Sequence, residues 1–276
     1  LVNQARSLLL GQLAALRFDA ARPGPTVVAL HGFTQHRFDL ARSLRAAEPG
    51  PWGTLWLLDA PGHGSSGQVG FTGLAHALRL LGDDVVLVGY SMGARLALWY
   101  AATVAQPPRG VVALSGHLGI AEPAARAVRA RADEERAAEL ESLTDARPLG
   151  ARGDDMRGFL ARWNALGVFA GRALGDLERD SRLRSSPKGL AHALRLLGTA
   201  RQPVLDPLLA ARPVPLLYLA GARDATYVAM AERVRALPGA EVRIVPEAGH
   251  DLLHDAPDVV RDALARFLAE PDHRSP

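Results

Sequence analysis

Short runs of Val and Leu, apolar at consecutive positions, recur along the chain. They are TVVALHGF (26–33), LWLLDAPG (55–62), DVVLVGYS (84–91), GVVALSGH (110–117), PLLYLAGARD (215–224) and EVRIVPEAG (241–249). A strand covered on both faces needs such a run, because each side of its pleat meets packed side chains. Between the runs, apolar residues fall at helical spacing, as in Met92 to Ala105, Tyr227 to Leu237 and Asp258 to Leu268. Strand and helix in alternation predict an α/β fold, a mostly parallel sheet flanked by helices.

The alternation stops between Leu118 and Arg212, where only helical patterns remain, with breaks expected at Pro123, Pro148, Gly153, Pro187 and Pro203. The expected organisation is a core of residues 1–117 and 213–276 with a helical cap, 118–212, inserted in it. Such a cap would cover the C-terminal edge of the sheet, where open α/β sheets bind ligands. The decapeptide GLAHALRLLG occurs at both 73–82 and 189–198. The flanks differ and the composition is rich in Ala, Leu and Arg, so the pair reads as two similar amphipathic helices rather than a repeat.

With 276 residues, 48% of them apolar, the chain suits one large domain or a domain with an insertion. It has no Cys, which excludes disulfides, thiolate chemistry and Cys-ligated metal. A cytoplasmic location fits that. The net charge is +3 and the Arg residues are interspersed with Asp and Glu, so solvated helix faces are expected rather than a nucleic-acid surface. No apolar run approaches the ~20 residues of a membrane span. The opening LVNQARSLLLGQLAAL superficially resembles a secretory signal, but its apolar part is short and interrupted by Gln12, and no cleavage site is convincing. Leu1 is not an ordinary initiator, so the natural N-terminus is expected to differ.

Gly89, Ser91 and Gly93 form G-x-S-x-G directly after a predicted strand and before a predicted helix. In that context the pattern is a nucleophile elbow, whose tight turn exposes the hydroxyl at the sheet edge and leaves no room for side chains on the flanking residues. A serine hydroxyl needs a base, and the base needs an orienting carboxylate. Asp224 and His250 follow in the expected order, each just past a strand end. Asp224 can also cap the next helix. His254 competes as the base but lies a helical turn further on, where packing or capping suits it. The oxyanion donors are expected to be the backbone N–H groups of Phe33 and Met92. His31 reads as a structural hydrogen-bonder, and Asp59 and His63 as turn residues of DAPGHGSSG. No cluster has metal-ligand spacing, no G-x-G-x-x-G follows the first strand, and no cofactor is expected.

These motifs resemble the α/β-hydrolase superfamily over nearly the full length. Within it the chain looks like the SHCHC synthases of menaquinone biosynthesis. The marks are HGFTQ, GYSMGAR, SGHLGI, RARADEERAAEL, RW at 162–163, LRSSPKGLAHALRLLGTARQP, GARD and PEAGHDLLHDAP. The resemblance implies a lyase that removes pyruvate from SEPHCHC. Ser91, activated by His250 and Asp224, would be the base that takes the proton beside the succinyl ketone, with the enolate in the oxyanion hole. The substrate carries three carboxylates, and the resemblance implies that Arg95, Arg129 and Arg184 bind them, with Trp163 lining the pocket and Tyr90 beside the serine. An arginine in a water-poor pocket is costly unless it meets an anion, and a guanidinium matches a carboxylate in bidentate fashion. The chain departs from the family at Ala94, usually a second Gly, and at Asn164, where some members carry Tyr; Arg131 lies two residues from Arg129. The expected partner is thus a small polycarboxylate, with no nucleic acid and no membrane insertion, and a monomer is compatible with the sequence. An esterase or carbon–carbon hydrolase using the same serine covalently is the alternative. A binding protein that has lost its chemistry is disfavoured by the intact Ser, Asp and His.

Overall fold

A computed structural model describes residues 5–19, 23–143, 149–169 and 174–270; Leu1 and the break expected at Pro148 lie outside them. In chain order the first elements are β1 (Ala5–Leu10), β2 (Leu13–Asp19), β3 (Thr26–Leu30), α1 (Arg37–Ser43), β4 (Thr54–Leu58), α2 (Phe71–Arg79), β5 (Val85–Tyr90), α3 (Met92–Thr103) and β6 (Gly110–Leu114). Five helices follow without a strand among the described residues: α4 (Pro123–Ser142), α5 (Leu149–Asn164), α6 (Asp176–Arg182), α7 (Pro187–Leu197) and α8 (Asp206–Ala211). The chain then returns as β7 (Leu216–Gly221), α9 (Ala225–Arg235), β8 (Ala240–Val245), α10 (Leu252–Asp255) and α11 (Pro257–Ala269).

One eight-stranded sheet results, in the order β1-β2-β4-β3-β5-β6-β7-β8. From β4 to β8 every neighbouring pair is parallel. The continuous apolar runs are strands buried on both faces: β5, β6 and β7 are buried at every residue. The two faces pack separate clusters, one with Leu74, Leu87 and Leu96, the other with Val27, Leu57 and Leu264. Burying a Leu or Val side chain is worth about 1.5–3 kcal/mol, so the two faces hold the sheet without cross-links.

Two elements depart from the sequence reading. The signal-like opening forms a hairpin, β1 and β2, added antiparallel to β4. Leu10 pairs with Leu13 across Gly11 and Gln12, and Gly11 sits at φ +59°, which a tight two-residue turn demands and glycine adopts without penalty. The β2 run Leu13–Leu16 is buried, whereas Leu8 and Leu9 of the edge strand are exposed. Gly153 does not break a helix, because α5 runs through it. Pro123 and Pro187 occupy first turns of α4 and α7, where a missing N–H costs nothing, and so begin helices.

The duplicated decapeptide is helical both times, in α2 and α7. Leu74, Ala77 and Leu78 in one copy correspond to Leu190, Ala193 and Leu194 in the other, and all are buried, against different neighbours. Helices α4, α5 and α7 enclose a third cluster, Ala137, Leu140, Met156, Phe159, Leu160, Leu190, Ala191 and Leu194, against which Phe33 and Trp163 pack. The last of the five helices differs: Leu209 of α8 joins the cluster of α3 instead.

Candidate active site

Ser91 links β5 to α3 with φ +51° and ψ −106°, a strained backbone for a residue with a side chain. Its N–H donates to the Leu114 carbonyl at 2.8 Å, which ties the turn to β6. The flanking glycines are obligatory. A Cβ at Gly89 would lie 2.4 Å from the Gly93 backbone, and one at Gly93 only 2.1 Å from the Leu30 carbonyl oxygen. Ala94 is accommodated because Gly116 opposes it: a Cβ at Gly116 would lie 2.8 Å from that of Ala94.

Parallel strands bring the loops after β5, β7 and β8 to one edge, and three side chains meet there. His250 Nδ1 lies 2.8 Å from Asp224 Oδ2, and its Nε2 lies 2.9 Å from Ser91 Oγ. The arrangement is self-consistent with a neutral ring that donates from Nδ1 to the carboxylate and accepts the serine proton at Nε2. Asp224 also caps α9, where its Oδ1 accepts from the Tyr227 N–H at 3.3 Å. The capping and the histidine contact, alternatives in the sequence, coexist on two oxygens of one carboxylate. Ser115 donates to the His250 carbonyl at 3.2 Å and steadies that loop. His254 is exposed, neither packed nor capping a helix start.

Aromatic rings enclose His250: Tyr227 at 4.5 Å, Tyr90 at 5.5 Å and Phe169 at 5.6 Å between centroids. Trp163 packs edgewise on Phe33 at 4.8 Å. The N–H groups of Phe33 and Met92 have no hydrogen-bond partner among the described residues. Met92 owes this to its place at the start of α3, where the first N–H groups have no partner within the helix.

The arginines divide. Arg95 is buried, 6% exposed, and Nη1 donates to the neutral Gln202 Oε1 at 3.0 Å. Among the described residues no carboxylate pairs with it. Burial and then the nearby charge of Arg129 lower its pKa to about 10. Gln202 is fixed in turn by donating to the His117 carbonyl at 2.9 Å. Burial and these cations pull the His117 ring down to about 4. Arg129 is half-exposed and bonds Asp133 at 2.8 Å, whereas Arg131 is exposed. Arg184 is not gathered with Arg95 and Arg129; it is exposed and stacks over Phe38 at 5.3 Å. Arg182, two residues away, is 3% exposed and bonds Thr34 and Asn164.

Beneath the loop at 31–36 lie the structural histidines. His31 accepts from the Ala60 N–H at Nε2, 3.0 Å, and bonds the Gly32 carbonyl through Nδ1, 2.8 Å. His31 therefore forms no ion pair with Asp59, 3.9 Å away, and burial lowers its pKa to about 4. His63 Nε2 accepts from the Thr34 N–H at 3.3 Å, and Asp59 accepts from the Arg37 and Ser65 N–H groups and from the Arg37 guanidinium. Sequence reasoning missed Tyr227, Phe169, Gln202 and Arg182. Gln202 and His117 lie inside the quoted segments TARQP and SGHLGI; nothing in the sequence separates Arg182 from other helical arginines.

The profile of the alpha/beta hydrolase family matches residues 27–263. The 2-succinyl-6-hydroxy-2,4-cyclohexadiene-1-carboxylate synthase of Klebsiella pneumoniae is 32% identical over 262 residues, 91% of this chain and 97% of that protein. The synthase of an Enterobacter species is 31% identical, over 90% and 94%. Among solved structures, MenH from S. aureus superposes with a TM-score of 0.80 at 26% identity, covering 92% of this chain and 97% of the other.

Proposed function

We propose, on the premise that the chain belongs to the alpha/beta hydrolase family and is an enzyme, that it is the lyase that eliminates pyruvate from SEPHCHC to give SHCHC in menaquinone biosynthesis. The observation that carries this reading is Arg95, a buried cation with no carboxylate partner among the described residues, one helical turn after Ser91 and with Arg129 beside it. An apolar acyl pocket has no use for such a pair, whereas a polycarboxylate substrate supplies the missing counter-charge.

In the proposed reaction Ser91 passes its proton to His250 Nε2 as its oxygen takes the acidic proton beside the succinyl ketone. Asp224 stabilises the imidazolium. The electron pair of the broken C–H bond moves onto the ketone oxygen, held by the Phe33 and Met92 N–H groups. It returns through the ring to break the carbon–oxygen bond to the enolpyruvyl group, which leaves with that bond's electron pair as the enolate of pyruvate. Protonation of the enolate at carbon, balanced by the proton held on His250, gives pyruvate and restores the neutral triad. Trp163 and Tyr90 line the pocket in this reading, and Arg184 would join Arg95 and Arg129 on the carboxylates only by leaving its stack on Phe38. Residues 118–212 act as a cap, with α8 as its anchor on the core.

The test is pyruvate release from SEPHCHC by the purified protein. Release by the wild type, abolished in Ser91→Ala, supports the proposal. No release, with rapid ester hydrolysis and an initial burst instead, would place Ser91 as a covalent nucleophile and make the chain a serine hydrolase.

A further inference from the structure

We propose that Arg182 is a positioning residue that clamps the loop at 31–36 and so aims the Phe33 N–H at the reacting oxygen. This rests on the reading of Phe33 as an oxyanion donor. Thr34, the next residue, has φ +69°, a conformation that a β-branched residue adopts only when its surroundings impose it. From below, the imposition is visible: His63 Nε2 accepts from the Thr34 N–H, and Gln35 Oε1 accepts from the Gly32 N–H at 3.0 Å. From above, Arg182 provides it. Its Nη1 donates to Thr34 Oγ1 at 3.3 Å and to Asn164 Oδ1 at 3.2 Å. One guanidinium group thus joins the end of α6, the end of α5 and the loop.

Asn164 adjoins Trp163, whose ring bears on Phe33, so both flanks of Phe33 are held through the same cation. Stability does not account for an arginine here. Glu178, the nearest carboxylate among its pairs, is 4.0 Å from Nη2, and Nε is buried with no partner among the described residues. Its charge is compensated only at a distance, by Glu178 and by the nearby buried Asp39, whose carboxyl it draws down against burial, and an apolar side chain of similar volume would serve packing at least as well. Nor does Arg182 present itself to a ligand: Nη1 is engaged twice and Nε is sealed from solvent.

The experiment compares Arg182→Met, Arg182→Lys and the isosteric Thr34→Val with wild type. One readout is steady-state pyruvate release. The other is the rate of phosphorylation of Ser91 by p-nitrophenyl diethyl phosphate, followed as one equivalent of nitrophenolate. In that second reaction Ser91 Oγ bonds to phosphorus and loses its proton to His250, nitrophenolate departs, and the phosphoryl oxygen occupies the oxyanion site. It needs no knowledge of the natural substrate, so it still reads Arg182 if pyruvate release fails in the wild type.

Arg182→Met is expected to lower kcat and the phosphorylation rate together by roughly tenfold to a hundredfold, the effect of ångström-scale misplacement, with KM little changed. Arg182→Lys recovers part of the loss, and Arg182→Met with Thr34→Val loses little more than Arg182→Met alone, because the two share one contact. A rise in KM with kcat and phosphorylation unchanged would make Arg182 a substrate ligand and overturn the proposal. Unchanged rates in every variant would make it a structural tie and overturn it equally. If Arg182→Met fails to fold, the phosphorylation rate of Thr34→Val decides, and a wild-type rate there is refuting.

Discussion

Replacing Arg95 by Met separates binding from stability, because the structure makes the two effects differ in sign. The guanidinium is 6% exposed and bonded, among the described residues, only to a neutral amide, and its pKa is lowered to about 10, well below that of a free guanidinium. That lowering, caused first by burial and then by the Arg129 charge, corresponds to roughly 3 kcal/mol of unfavourable free energy in the folded protein. Met removes this cost and retains most of the packing volume. It also strips Gln202 Oε1 of its donor, which returns about 1–3 kcal/mol of penalty. The net effect on folding is therefore close to zero or mildly stabilising. For the proposed tricarboxylate substrate the change removes a charge-assisted pair, typically ~1.5–3 kcal/mol. At about 1.4 kcal/mol per decade, kcat/KM should fall at least tenfold. Arg95→Lys should recover only part, because an ammonium lacks the planar fork. The assays are thermal unfolding of both proteins and kcat/KM for SEPHCHC and for a neutral ester. A fall in Tm with equal losses on charged and neutral substrates would show that Arg95 braces the elbow, and the anion-site argument would fail.

Ser91→Ala, Asp224→Asn and His250→Ala should each lower turnover by orders of magnitude while remaining folded, and a double mutant should lose little more than the worse single. Normal activity in His250→Ala beside a dead His254→Ala would contradict the 2.9 Å contact of His250 with Ser91. Gly116→Ala should destabilise by about 1–3 kcal/mol through overpacking, since its Cβ would meet Ala94 at 2.8 Å; adding Ala94→Gly should restore most of the loss in a denaturant titration, and no restoration would refute the contact. Acid should unfold the protein early, because burial holds His31, His36 and His63 neutral, with folded pKa values of about 4, 3 and 3 against 6.5. Depressed values mean stability that is whole above pH 6.5 and lost as pH falls toward 4, at about 1.4 kcal/mol per pH unit per histidine, while the raised Asp39 and Asp59 carboxyls oppose this at the acid end. Denaturant midpoints that stay level between pH 7 and 5 would refute it.

The legible parts of the fold were those whose physical cause is local. Strands β5, β6 and β7 are buried on both faces, so their sequences are continuously apolar. The hairpin hid for the opposite reason. Leu8 and Leu9 are exposed on an edge strand while Leu13 to Leu16 are buried, so the two strands merge into one apolar stretch with only Gly11 and Gln12 to mark a turn. Gly153 misled because a glycine inside a helix costs only about 1 kcal/mol, less than the packing of Met156, Phe159 and Leu160 further along α5 supplies.

The candidate site divides along the same line. Ser91 was legible because the glycines that make room for it lie two residues away on either side. Asp224 was ambiguous because a carboxylate after a strand serves a helix cap and a histidine equally well, and here it serves both. The arginines are where sequence runs out. Arg95, Arg182 and Arg184 are chemically identical, yet the first is buried against an amide, the second is buried between two helix ends and a loop, and the third stacks in the open on Phe38. Spacing places Arg95 one turn from Ser91, whereas the position of Arg182 depends on Thr34 and Asn164, 148 and 18 residues away in sequence. A local pattern carries no information about contacts of that separation. The charge that looked scattered along the chain is therefore sorted only on folding: most of it meets water or a carboxylate, and Arg95 and Arg182 are taken into the interior beside the serine's helix and the loop opposite it.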